Sequence, residues 1–176
     1  MDGILSGSAL FAGIPADQLT ELLQCLGEIE KQFARGCTIF QAGTVPDQLG
    51  LVLKGRVLVQ CCDAWGNLSV LGSASPGETF GEAYACCPGE PLQISVQAAE
   101  DTTALFLNAS RVLTVCPASC PFHARLVRNL LEVCARKNLM LSRRMLHITP
   151  KTIRGRLLSY FSQCARQAKS PVFTLE

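Results

Sequence analysis

Between Phe33 and Leu107 the chain never sustains a long apolar run. Thr38–Phe40, Leu49–Leu53, Arg56–Cys61, Leu68–Leu71, Ile94–Ala98 and Thr103–Leu107 are short, strand-competent and separated by Gly, Pro, Asp or Asn. Lys54-Gly55 and Asp63-Ala64-Trp65-Gly66-Asn67 read as turns between them. Strands this short and evenly spaced close most readily into an antiparallel roll, which has room for one small ligand. Trp65, in the hairpin loop, is expected to plug the turn locally.

The flanks have a different period. In residues 6–27, Pro15 and Asp17 open a helix whose stripe is Leu19, Leu22, Leu23 and Leu26. Asn108 caps a short helix that runs to about Val115, and Pro121 sits near the first turn of the next. Phe122–His147 contains neither Pro nor Gly, so its 26 residues allow one helix of about 39 Å. It carries two apolar stripes. Leu126, Leu130, Val133, Lys137, Met140 and Arg144 form one; Val127, Leu131, Cys134, Leu141 and Met145 form the other. One is expected to pack on the roll and the other on a partner helix, the first being assigned to the dimer seam. Asn129, Lys137 and Asn138 are polar positions on or near it. Ile148-Thr149-Pro150 ends this helix and Thr152 starts another.

One cassette gives the roll a chemistry. Pro76-Gly77 makes a turn; Phe80-Gly81-Glu82 then leads into the helix-competent Ala83-Tyr84-Ala85. Gly81 permits close backbone approach, Glu82 offers an acceptor for a hydroxyl, and the first N–H groups of the helix face a ligand edge.

With Leu10–Ile14, Gly36, Ile39-Phe40, Gly43, Leu51–Val57 and Gly66-Asn67, the cassette and the long Phe122–His147 segment resemble the CRP/FNR family of bacterial regulators. The resemblance covers the whole chain. It implies a mainly β fold with helices: a cyclic-nucleotide-binding-like, jelly-roll-like β-roll over residues 1–120. A dimerisation helix over 121–148 follows, then the start of a winged helix-turn-helix domain from 149, incomplete at Glu176. It implies a homodimer that binds DNA through that last domain and responds to an effector held by Phe80, Gly81, Glu82, Tyr84, Leu92, Gln93 and Ile94. Lys137 and Asn138 are expected to touch the effector across the dimer. The chain departs from the family at one point. Cyclic-nucleotide-binding members place an Arg about ten residues after the Gly-Glu pair to clamp the phosphate. Leu92-Gln93-Ile94 stand there, and no Lys or Arg occurs between Arg56 and Arg111. A lost charge-assisted bond costs about 1.5–3 kcal/mol. The expected effector is therefore a small apolar molecule, haem or a redox signal, not a cyclic nucleotide. The alternative is a stand-alone binding module acting on a protein partner without DNA.

Charge divides along the chain. Residues 1–120 carry five basic and twelve acidic side chains, and residues 121–176 carry eleven basic and two acidic. A basic end on an acidic body fits a protein that turns that end toward a polyanion. No basic leader precedes an apolar stretch and no run of ~18 apolar residues occurs, so a cytoplasmic protein without a membrane segment is expected. The ten cysteines are then expected as reduced thiols, with Cys25, Cys61 and Cys62 in the core. Cys87, Cys116 and Cys120 each precede Pro, resembling haem-regulatory pairs. Cys116-x-x-x-Cys120-x-x-His123 has metal-ligand spacing, and Cys86 or Cys87 can join it in a redox, metal or haem cluster. His123 otherwise reads as a surface residue at a helix start. With no nucleophile–base pair, paired carboxylates or phosphate loop, an enzyme is not expected.

Overall fold

The computed structural model describes residues 2–63, 65–114, 122–170 and 172, and divides into two compact units, Met1–Val133 and Cys134–Glu176. The first opens with α1 (Asp2–Gly7), a 3-10 turn (Ala9–Phe11) and α2 (Ala16–Leu26). Leu19, Leu22, Leu23 and Leu26 are all buried, as their spacing predicts. Gly27, at φ 65°, ends α2 in the left-handed conformation open to glycine.

Eight strands follow: β1 (Ile29–Phe33), β2 (Thr38–Phe40), β3 (Gln48–Lys54), β4 (Val57–Cys62), β5 (Leu68–Ala74), β6 (Thr79–Phe80), β7 (Ser95–Ala98) and β8 (Thr102–Asn108). They form two four-stranded antiparallel sheets, ordered β1-β8-β3-β6 and β2-β7-β4-β5. In the first, Leu49 faces Leu107 and Leu51 faces Leu105; in the second, Val57 faces both Ala74 and Ala98. β1 and β6 are absent from the sequence reading. β1 reads Ile-Glu-Lys-Gln-Phe and is exposed along four of its five residues, so it carries no apolar run. Its register with β8, Ile29 opposite Phe106 and Phe33 opposite Thr102, makes it a strand.

The two sheets are buried differently. β3 and β8 are apolar and buried almost continuously, because helices α2, α3 (Glu82–Ala85) and α4 (Ala109–Leu113) cover the outer face of their sheet. β5, at the edge of the other sheet, is exposed at most positions. Between the sheets lie Val52, Ala104 and Phe106 from one side and Val57, Ala74 and Val96 from the other, with Phe80 among them.

The β4–β5 hairpin is held by Asp63. Its carboxylate accepts the Trp65 amide (2.9 Å), the Asn67 amide (2.8 Å) and the Asn67 side-chain amide (2.8 Å). Trp65 plugs nothing: the side chain is 86% exposed, because Asp63 has closed the turn from within. Cys25 and Cys62 are likewise exposed and Cys61 is half-buried, so none of the three belongs to the core. Among the described residues no helix is long and apolar enough to cross a membrane.

Helix α5 (His123–Ile148) runs unbroken, as the absence of Pro and Gly predicts, and crosses the boundary between the units. In the first unit Leu126 and Leu130 are 0% and 3% exposed. Their assignment to a partner-facing stripe is therefore corrected: they fill their own unit's core. The large apolar side chains α5 leaves exposed are Leu131, Leu139, Met140, Leu141, Met145, Leu146 and Ile148. In the second unit Thr152 caps α6 (Ile153–Ala168) by accepting the Gly155 amide at 3.1 Å. His147 joins the two helices there, with Nδ1 3.0 Å from the Ser159 hydroxyl and Nε2 against Gln163 Oε1.

Candidate functional site

The cassette is built on β3. The Gly77 amide donates to the Val52 carbonyl (2.9 Å) and the Val52 amide donates to the Glu78 carbonyl (3.0 Å). Glu78 closes the turn by accepting the Ser75 amide at 2.8 Å. β6 then pairs Phe80 with Gly50 and Thr79 with Leu51. Gly81 takes φ 74°, ψ −1° and serves as the N-cap of α3, so the chain turns sharply into one helical turn. This places Glu82 inside, 5% exposed, at the start of that turn.

The close approach that Gly81 permits is already taken. A Cβ on Gly81 would lie 2.5 Å from the Phe40 ring. Phe40 stands 5.6 Å from Phe80 and 5.9 Å from Phe106, centroid to centroid, and Phe80 and Phe106 meet edge to face at 6.0 Å. Phe33 joins at 6.0 Å from Phe106. Gly50 accommodates the same cluster, since a Cβ there would lie 2.1 Å from the Phe80 ring. Phe33, Phe40, Phe80 and Phe106 pack together between the sheets. These geometries are the attractive ones for aromatic pairs, worth about 0.5–1.5 kcal/mol each beyond area burial.

The predicted effector contacts divide accordingly. Phe80, at 1% exposure, is a core residue, and Tyr84 is half-buried on α3. Leu92 is 2% exposed. Its amide donates to the Thr44 carbonyl (2.9 Å) and its carbonyl accepts the Gly43 amide (2.8 Å), which fixes the backbone on either side of this buried apolar side chain. Ile94 packs against the aromatic cluster and Gln93 is exposed. Lys137 and Asn138 stand in the second unit, half-buried and exposed respectively. A surface groove of about 370 Å³ is lined by Gln32, Phe33, Ala34, Lys54, Asp101, Thr102 and Thr103, none of them a predicted contact.

The proposed metal or redox set does not come together among the described residues. Cys116 and Cys120 lie outside them, and no group of three or more His, Cys, Asp or Glu among the rest is placed to hold a metal. Cys86 is half-buried and Cys87 exposed. His123 is buried, at 7% exposure, not a surface residue. Its Nε2 donates to the Val112 carbonyl at 2.8 Å, which anchors the start of α5 to α4. Phe40, Phe106 and Gly50 had no assigned role in the sequence reading. Only part of the signal was legible: Phe33, Phe40, Phe80 and Phe106 are four of the eight phenylalanines in the chain, but Phe33 and Phe80 lie on β1 and β6, which the sequence does not reveal as strands.

Two facing antiparallel sheets, with a glycine-bounded helical turn carrying a buried glutamate, define a jelly-roll-like β-roll. The chain belongs to the cyclic nucleotide-binding domain family, whose model matches residues 30–119. It is 29% identical over 89 residues to the CRP-like cAMP-activated global transcriptional regulator of Mycobacterium tuberculosis, a match covering 51% of this chain and 39% of that relative. The crystal structure of the N-terminal domain of a transcriptional regulator from Streptomyces coelicolor A3(2) superposes with a TM-score of 0.62 at 27% identity, covering 77% of this chain and 94% of that one. A cyclic nucleotide-binding domain from Methylobacillus flagellatus gives 0.69 at 20% identity over 86% and 83% of the two chains, a likeness of fold alone.

Proposed function

We propose that this chain is the sensor and dimerisation part of a cytoplasmic, homodimeric, effector-responsive DNA-binding transcription regulator, whose effector is not a cyclic nucleotide. The observation that carries the second half is Leu92, buried at 2% exposure where a phosphate-binding relative needs a cation. Phe40 reinforces it by occupying the approach to Gly81. A cyclic phosphate placed beside Leu92 would meet an apolar side chain, and its entry would have to expel a packed ring. The interior instead favours a small apolar effector, or a signal such as haem or a redox change read at the cysteines. A change of state in the roll would bias α5 and through it a DNA-binding domain.

Dimerisation is drawn to the part of α5 that its own unit leaves bare. Met140, Leu141 and Met145 are 57%, 57% and 63% exposed, a stripe suited to a partner helix.

Thermal melting with 1,000-fold excess cyclic AMP or cyclic GMP tests the effector class. Binding at a ligand concentration of ~100 Kd would add about 2.7 kcal/mol, a shift of several degrees, whereas no shift is expected. Sedimentation tests the dimer: the wild-type chain is expected as a dimer and Met140→Glu as a monomer. A shift with either nucleotide defeats the effector assignment, and a monomeric wild type defeats the dimer.

A further inference from the structure

Past its pairing with the cassette at Gly50 and Leu51, β3 ends at Lys54 beside the groove of about 370 Å³. A row across three strands supplies part of the lining. Gln32 on β1 pairs with Thr103 on β8, and Thr103 pairs with Lys54 on β3. Residues paired in this way put their side chains on one face of a sheet, at strand spacings of about 4.8 Å. An amide, a hydroxyl and an ammonium therefore stand in line, and all three residues line the groove. Lys54 owes its place to a bulge. The register shifts between Val52, opposite Ala104, and Lys54, opposite Thr103. Even pairing would set Leu53 opposite Thr103. The extra residue leaves Leu53 buried, at 5% exposure, and brings Lys54 to the row.

The turn into β8 supplies the rest. Asp101 Oδ1 accepts the Arg35 amide at 3.0 Å. Thr102 is buried and donates its hydroxyl to the Glu100 carbonyl at 2.7 Å, with the Arg56 carbonyl 3.1 Å away. Gly55 closes on this turn: a Cβ there would lie 2.5 Å from the Asp101 carbonyl oxygen and 2.7 Å from Thr102 Oγ1. The turn is thus fixed before any ligand arrives, which spares part of the ordering cost of binding. Phe33 adds apolar surface, half-buried and set edge to face against Phe106.

The charges select the ligand. Lys54 and Asp101 are the two charged residues of the lining, both exposed, and neither Arg35, Arg56 nor Glu100 belongs to it. Among the described residues the Lys54 ammonium makes no ion pair, so a cation and an anion share the groove without neutralising each other. A ligand with only a carboxylate gains Lys54 and is repelled by Asp101; one with only an amine meets the reverse. A ligand carrying both charges satisfies both. We propose that the groove binds a free α-amino acid. Its carboxylate pairs with Lys54 and accepts the Thr103 hydroxyl, its ammonium pairs with Asp101, and an apolar side chain lies against Phe33 and Ala34. The site is apart from the cassette and depends neither on the effector held there nor on DNA.

An NMR titration of the full chain with L-phenylalanine tests this, with phenylpropionate and phenethylamine as the counterparts that each carry one of the two charges. L-phenylalanine is expected to bind with a Kd of about 1 mM and to shift the amides of Gln32, Phe33, Lys54 and Thr103. Each counterpart is expected to bind about tenfold more weakly, the scale of one charge-assisted bond. Lys54→Met is expected to weaken L-phenylalanine by the same factor and to leave phenethylamine no weaker. Asp101→Asn, which keeps the Oδ1 acceptor for the Arg35 amide, is expected to weaken L-phenylalanine likewise and to leave phenylpropionate no weaker. Should a variant not fold, the three compounds on the wild-type chain decide alone. No shift at about 20 mM L-phenylalanine, or shifts centred on Glu82 and Leu92, would overturn the proposal. So would phenylpropionate binding as tightly as L-phenylalanine, which would reduce the groove to a simple anion site. Each of these outcomes leaves the sensor reading standing, and a cyclic-nucleotide shift leaves the groove standing.

Discussion

Replacing Gly50 with Ala is the most direct test of whether the roll interior is full. The added methyl would stand 2.1, 2.4 and 2.6 Å from three atoms of the Phe80 ring, where carbon–carbon contact is optimal near ~3.5–4.0 Å. Gly50 is not among the glycines held at positive φ, so the alanine backbone is unstrained and the effect is one of packing. Two terms oppose each other. Gly→Ala in a strand gains about 0.5–1 kcal/mol through reduced backbone freedom. Overpacking costs about 1–3 kcal/mol. The upper end applies, because Phe80 is 1% exposed and its neighbours Phe40 and Phe106 stand at 5.6 and 6.0 Å. The ring cannot yield without displacing them. The net expectation is a loss of about 1–2 kcal/mol, or roughly 2–8 °C in Tm for a chain of this size, with the urea m-value unchanged. A thermal and urea melt of the variant reads both. Phe80→Leu in the same chain should relieve the clash, so the double-mutant cycle should show a favourable coupling of about 0.5–3 kcal/mol. A Gly50→Ala protein as stable as wild type, or strict additivity with Phe80→Leu, would mean that the interior has slack and that a ligand has room beside the ring.

Gly81→Ala is expected to destabilise more than Gly77→Ala in the same melt. Both positions have positive φ, 74° and 87°, but only a Cβ at 81 meets a ring, at 2.5 Å, while the nearest atom at 77 is 3.9 Å away. Equal losses would show that backbone strain alone keeps Gly81 and that Phe40 does not press on it. The Asp63 turn gives a pH signature. Hydrogen bonds, the Asn67 side-chain amide first and the Asn67 backbone amide next, hold its carboxyl below the ordinary aspartate range. A depressed folded value contributes stability that is complete above the unfolded value, about 3.9, and is lost as pH falls through the folded one. Trp65, the single tryptophan, reports on the loop. Its emission should hold from neutrality down to about pH 4 and change below it, and Asp63→Asn should abolish that step. A midpoint above the ordinary aspartate value would contradict the bonding.

How much was legible depended on whether a residue's environment is local. The Leu19–Leu26 stripe, the Asn108 and Thr152 caps and the unbroken α5 follow from spacing and side-chain chemistry within a few residues, and the structure has them. β1 was invisible because what makes it a strand is β8, whose paired residues lie 69 to 77 positions on. Trp65 was misjudged for a related reason. A large aromatic in a turn is expected to cover something, but three bonds to Asp63 make the turn self-sufficient and leave the ring outside. On α5, periodicity gave two stripes but not which faces inward, and the stripe assigned to the dimer seam proved to begin with the buried Leu126 and Leu130. Asn129 marks the inward face, since its side-chain amide donates to the Leu10 and Ala12 carbonyls.

The cassette shows where the limit is physical. Gly-rich turns that open a helix signal close approach to something, and here the something is Phe40. A glycine that admits a ligand and a glycine that admits a ring of its own chain meet the same steric requirement, so the turn alone does not separate them. What separates them is the side chain across the roll. With Leu92 buried, Phe40, Phe80 and Phe106 in mutual contact and Phe33 joined through Phe106, the turn already has a structural reason to exist. Ligand binding at this site then requires that Phe40 move. Phe40 is the member best placed to do so: it is only partly buried and sits on a three-residue strand whose register with β7 shifts between Thr38 and Phe40. Under the proposed reading, an effector of this roll has to gain more from the Gly81–Glu82 turn and the remaining rings than the Phe40 packing it displaces.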